Sequence, residues 1–162
     1  MMDRPWYVAH TRPRCEKKVT EFCGREGISH ILPLFRSVKR YRGKQAVYLK
    51  PLFPGYVFLR LAANEVATLR QNQHVANLLE PPDQAEFDAQ LGDILQALEA
   101  ECEIRLAPHI ATGQRVRIRQ GPLRGLEGLV AERQGLMEVI LRLDFIGQAA
   151  AVRVLADEVE PV

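Results

Sequence analysis

The side chains that could do chemistry in this chain are not grouped to make or break bonds. Its four histidines, His10, His30, His74 and His109, are scattered. No HExxH, GxSxG, P-loop or glycine-rich dinucleotide pattern is present, and no carboxylate pair stands out on one face of an expected element. Cys15, Cys23 and Cys102 make an odd count with no CxxC spacing. That pattern points to small buried apolar residues in a reducing cytoplasm, not to a disulfide or zinc framework. No catalytic residue, metal or cofactor is therefore expected, and the chain is read as a non-enzyme. What remains is recognition of charge. Residues 1–61 hold 13 Lys and Arg against 4 Asp and Glu, residues 62–103 hold 1 against 9, and residues 104–162 hold 8 against 7. The net charge of +2 hides this division. Cations gathered in one segment suit phosphate, so the first segment is expected to carry a surface facing nucleic acid.

The elements that must position these charges can be read from periodicity. Trp6–His10 is aromatic and β-branched, which predicts a strand. Pro13 is expected to open a helix, because a first-turn residue needs no N–H partner. Its apolar stripe is Cys15, Val19, Phe22 and Cys23, and Gly27 ends it. A second strand is expected over Ile28–Phe35. The stretch SVKRYRGKQAVYLK reads as a basic hairpin with its tip near Arg42-Gly43-Lys44. That hairpin is a candidate for touching nucleic acid or a protein partner, with Tyr41 able to stack. Tyr56–Leu61 reads as a central strand, Asn64 as the cap of a short helix running to Gln73, and His74–Glu80 as a strand stopped by Pro81-Pro82. Asp83-Gln84-Ala85-Glu86 fits a capping box, and Phe87, Leu91, Ile94, Leu95 and Leu98 continue as a helix to about Cys102. The order implies an α+β fold, with helices packed on one mixed or antiparallel sheet. Residues 103–112 read as a linker. Short strands at 115–119, 127–132, 136–143 and 149–154 then suit one small barrel. Residues 126–143 also tolerate helix on composition, but their alternation favours strand. No apolar run is long enough to span a membrane, and the first residues lack the apolar core of a signal peptide.

Two segments carry a family resemblance. Gly113–Val130, GQRVRIRQGPLRGLEGLV, resembles the KOW motif of small SH3-like β-barrels. Lys50-Pro51-Leu52-Phe53-Pro54-Gly55-Tyr56-Val57-Phe58, together with Trp6-Tyr7-Val8, resembles the N-terminal domain of the NusG family of transcription factors. The phrases PLFPGYVF, GPLRGLEG and DFIGQAAAVRVLADEVEP look more like its specialised RfaH/UpxY-type members than its housekeeping ones. The resemblance implies a polymerase-binding domain over residues 1–102, a linker over 103–112 and a KOW domain over 113–162.

It also implies partners. The N-terminal domain would sit on the clamp helices of bacterial RNA polymerase through Phe53, Tyr56 and Phe58, with His10 beside them. Arg12 and Lys18, and more loosely Arg14, Lys17 and Arg70, would face the non-template DNA strand. Phe145, Ile146 and Gly147 would bind a small-subunit ribosomal protein or Rho. The implied role is elongation and antitermination by a cytoplasmic monomer. The alternatives are a housekeeping role linked to Rho, or a KOW protein that binds only ribosomes or RNA. One departure bears on the DNA face. Members often carry glycine-valine before the strand near residue 75, and His74-Val75 stands here. Histidine lacks glycine's freedom at positive φ, which puts that loop's geometry in question.

Overall fold

The structure, a computed structural model, describes residues 4–100, 102–109, 113–133 and 135–162. Its described residues form three α-helices and three antiparallel sheets. They divide into two compact units. One holds the residues through Pro33 together with Phe53–Asp88, and the other holds Leu34–Leu52 together with Ala89–Val162. This division cuts across the expected boundary at residue 102.

In the first unit, β1 (Trp6–Thr11), β2 (Ser29–Ile31), β5 (Tyr56–Arg60) and β6 (Val75–Leu79) form a four-stranded sheet in the order β2-β5-β1-β6. Every pairing is antiparallel. Strand side chains alternate faces, so β1 and β5 each offer two apolar rows. Tyr7, Ala9, Val57 and Leu59 pack with Val19 and Cys23 of α1 (Glu16–Glu26) and Leu69 of α2 (Ala63–Arg70). The opposite row meets the first turns of α3 (Gln84–Glu99). There Trp6, Phe58 and Phe87 join edge to face, with ring centroids 5.7 and 5.8 Å apart, and Phe53 meets Phe58 at 6.2 Å. Helices therefore lie on both faces of the sheet, because both rows of β5 are apolar.

The helix ends differ in detail from expectation. Pro13 lies in a turn ahead of α1, whose N-cap is Cys15. Gly27 does end the helix in the left-handed region at φ 68°, with the Ile28 N–H closing on the Cys23 carbonyl. Asn64 is not a cap. It lies inside α2, and the Glu65 carboxylate instead accepts from the Ala62 N–H at 2.8 Å. Asp83 caps α3 as expected, accepting from the Glu86 N–H at 2.9 Å.

In the second unit, β3 (Leu34–Tyr41) and β4 (Lys44–Pro51) form a separate two-stranded ribbon. The expected strand over Ile28–Phe35 is broken at Leu32-Pro33, since proline brings no N–H to a ladder. The rest of the unit is a six-stranded antiparallel sheet in the order β12-β8-β9-β10-β11-β7, formed by β7 (Ile104–Ala107), β8 (Arg115–Ile118), β9 (Glu127–Arg133), β10 (Leu136–Leu143), β11 (Gln148–Arg153) and β12 (Val159–Pro161). The four expected strands are present. Ile104–Ala107, expected as linker, instead pairs with β11 from Val152 to Ala149. A salt bridge holds it there. Arg105 donates to both carboxylate oxygens of Glu138, at 3.0 and 2.5 Å, and Glu138 is buried. The expected linker residues 110–112 lie outside the described residues. Gly128 is required by close approach, because a Cβ there would stand 2.4 Å from the Ile140 carbonyl oxygen.

Candidate functional site

The Phe53-Pro54-Gly55-Tyr56 segment folds as a tight turn. Proline supplies the first central φ, Gly55 sits at φ 89°, and the Tyr56 N–H returns to the Phe53 carbonyl at 3.3 Å. Two contacts fix the turn. The Thr11 N–H donates to the Gly55 carbonyl at 2.8 Å, and the Gly55 N–H donates to the Glu16 carboxylate at 3.3 Å. A Cβ on Gly55 would meet the His10 ring at 3.6 Å. The turn therefore delivers Tyr56 opposite His10 in the β1–β5 register. Their rings stack with centroids 5.1 Å apart and planes 18° from parallel.

His10 is exposed and Tyr56 half-buried, so this stacked pair offers a flat, amphipathic surface to solvent. Phe53 and Phe58 are placed otherwise. Both rings are fully covered, at 1% and 0% exposure. Their rings pack against each other in the core. Trp6 closes the far end of the same row. Its indole N–H donates to Asp88 at 2.9 Å, and the Arg60 guanidinium lies 4.4 Å over its ring and 2.9 Å from Asp88. The β6 side of the Trp6 backbone is met by Gln84, which accepts from the Trp6 N–H at 2.6 Å and donates to its carbonyl at 3.0 Å. One side chain thus completes the ladder where β6 does not reach.

The basic candidates are all exposed: Arg12 and Arg14 in the turn after β1, Lys17 and Lys18 on α1, and Arg70 in the last turn of α2. The β1–α1 turn is tied to the α2–β6 turn. Arg12 donates from Nε to the Gln73 carbonyl and from its backbone N–H to the His74 carbonyl, both at 2.9 Å. Arg14 stands at φ 61°, an unusual conformation for arginine. His74 raises no conformational difficulty. The only described non-glycine residues at positive φ are Arg14 and Arg42, and the Asn72 side chain accepts the His74 N–H at 2.8 Å. Asn72, not a glycine, shapes this loop.

In the second unit, Asp144–Ile146 form one turn of 3-10 helix after β10, and Gly147 follows at φ 64°. Phe145 and Ile146 are half-buried and Gly147 is exposed. Asp144 anchors this turn. Burial pushes its carboxyl up, but hydrogen bonds from His109, Gln90 and Arg142, with the charge of Arg142, outweigh that and hold it at about 2. The bonds are 2.8 Å from His109, 2.9 Å from Gln90 and 2.8 Å from Arg142, and Gln90 also accepts the Asp144 N–H at 2.9 Å. No sequence pattern pointed to this network, because its members are 35 and 54 residues apart. Arg115, Arg117 and Arg119 point outward from the β8 segment while Val116 and Ile118 point inward, as the alternation predicts.

Among the described residues no helix is long and apolar enough to cross a membrane. Residues 4–90, more than half of the chain, match the family model described as transcription termination factor nusG. The chain is also similar to the transcription termination/antitermination protein NusG of Rickettsia conorii, at 24% identity over 143 residues, covering 80% of this chain and 74% of the relative. The matched segment spans β1, the Phe53–Tyr56 turn, both loops of the basic face and the first turns of α3, and the chain belongs to the NusG family of transcription termination and antitermination factors.

Proposed function

We propose that this protein is an elongation and antitermination factor that acts by holding RNA polymerase in its processive state. The observation that carries the reading is the Tyr56–His10 stack, an aromatic pair left half open at the end of a row whose other rings are buried. An open aromatic beside a rigid core can be covered by a partner at little entropic cost. The clamp helices of bacterial RNA polymerase would cover it. Arg12, Lys18, Arg14, Lys17 and Arg70 would then lie along the non-template DNA strand and contribute salt-dependent phosphate contacts. The reaction is mechanical: a wedge bound across the cleft keeps the clamp closed and shortens pauses, so no side chain need react.

The six-stranded sheet is read as the KOW module, an SH3-like barrel. Phe145, Ile146 and Gly147 would offer its partner-binding turn to a small-subunit ribosomal protein, which would couple transcription to translation, or to Rho. The likeness to RfaH/UpxY-type members, a cytoplasmic location and a monomeric state belong to the same proposal.

Binding of the full chain to a reconstituted elongation complex tests the reading. It predicts retention on the complex and faster escape from defined pauses. An elongation complex that neither retains the protein nor changes its pausing would overturn it in favour of a partner outside the polymerase.

A further inference from the structure

The β3–β4 ribbon has two chemically distinct faces. It carries Arg36, Lys39, Arg40, Arg42, Lys44 and Lys50 and no acidic residue. Its register runs from Leu34 opposite Pro51 to Tyr41 opposite Lys44. Arg42-Gly43 forms the two-residue loop, with both residues at positive φ, as the right-handed twist of a tight hairpin demands. Because side chains alternate, one face carries Val38, Val47 and Leu49 with Arg36 and Arg40. The other carries Phe35, Ser37, Lys39 and Tyr41 on β3, and Lys44, Ala46, Tyr48 and Lys50 on β4. From base to tip that second face reads Lys50, Tyr48, Lys39, Tyr41, Lys44, so cations and rings alternate.

Both tyrosines are open, Tyr41 at 69% and Tyr48 at 51% exposure, and the Arg42 guanidinium lies 5.3 Å from the centroid of the Tyr41 ring. The row of Tyr48 lies between those of Lys39 and Lys50. Two cations flanking an open ring favour an anion between them.

We infer that the Tyr41–Tyr48 face of this hairpin binds single-stranded RNA, with Lys39, Lys44 and Lys50 on phosphates and the two rings under bases. Its residues are not among those proposed for the DNA face, Arg12 and Lys18. The rings are four strand positions apart, roughly 13 Å, well beyond the ~3.4 Å step of a stacked helix. They suit splayed bases of an unpaired strand, not adjacent bases of a duplex. Ser37 stands directly across from Tyr48, so this face also presents hydroxyls that can pair with a ribose 2′-OH.

Fluorescence anisotropy of the full chain with a labelled RNA of about a dozen nucleotides tests the site, against DNA of the same sequence and against duplex RNA. Single-stranded RNA is expected to bind tightest. Tyr41→Ala and Tyr48→Ala are each expected to weaken it by at least about fivefold. Lys39→Gln and Lys44→Gln should each lower the salt slope by roughly 0.7. Val38→Ser with Val47→Ser, on the other face, should change affinity less than about twofold, as for a surface site with no contact. Arg12→Ala with Lys18→Ala should leave RNA binding intact even if DNA binding falls. Equal loss from both hairpin faces, loss from the Arg12 and Lys18 change alone, or DNA or duplex binding as tight as RNA would each overturn the assignment. So would the absence of RNA binding at low salt.

Discussion

Tyr56 and Phe58 stand two residues apart on one face of one strand, and they live in different surroundings. Phe58 is sealed between Phe53 and Phe87, whereas Tyr56 stacks on His10 with solvent beside it. The difference is what lies above them. The first turns of α3 bring Phe87 over Phe58, with Gln84 and Asp88 clamped to Trp6, whereas the ring stacked on Tyr56 is the exposed His10. An aromatic row that is half core and half surface lets a rigid core aim an exposed pair. Stability should therefore concentrate at the Phe58 end and partner binding at the Tyr56 end.

The largest effect should come from emptying the covered end. Phe58→Ala is expected to cost about 3–5 kcal/mol in urea unfolding, because it leaves a cavity beside two rings. A loss under 1 kcal/mol would mean that the row is not packed as described. The turn between the two ends comes next. Gly55→Ala forces an alanine to φ 89° against the His10 ring and should cost about 1–3 kcal/mol. It should also displace Tyr56, so that partner binding falls further than the lost stability explains. Gln84→Ala removes both bonds to the Trp6 backbone and should cost about 1–2 kcal/mol, with faster hydrogen exchange at the Trp6 amide. The smallest stability effect is expected for His10→Ala, within about 0.5 kcal/mol, since the ring is exposed. A large destabilisation there would make the stacked pair a core feature and remove the contrast between the two ends.

Much of this was legible in the residues. Aromatic and β-branched content placed β1, an apolar run placed β5, alternation placed the strands at 115–119, 127–132, 136–143 and 149–154, and Gly27 and Asp83 marked helix ends because their chemistry is local. What escaped was set by contacts distant in sequence. Ile104–Ala107 became a strand because Arg105 reaches Glu138 and Ala149–Ala151 offers a flat partner. Asn64 lost the cap to Glu65, which serves the Ala62 N–H one turn earlier. The candidate site was legible in kind but not in exposure. The family resemblance pointed to Phe53, Tyr56 and Phe58 together, yet only the packing of α3 separates the covered rings from the open one. The concern over His74 dissolved because Asn72, two residues away, supplies the loop's hydrogen bond.

The most direct test is single-round transcription with bacterial RNA polymerase, comparing the wild type with Tyr56→Ala after circular dichroism shows the variant folded. Phe58→Ala is unsuitable here, because its effect would come through folding. The account predicts that the wild type speeds escape from pauses and that folded Tyr56→Ala loses at least about tenfold in apparent affinity for the elongation complex, the size expected for an aromatic hot spot. A folded Tyr56→Ala protein that shortens pauses as well as the wild type at the same concentration would contradict it.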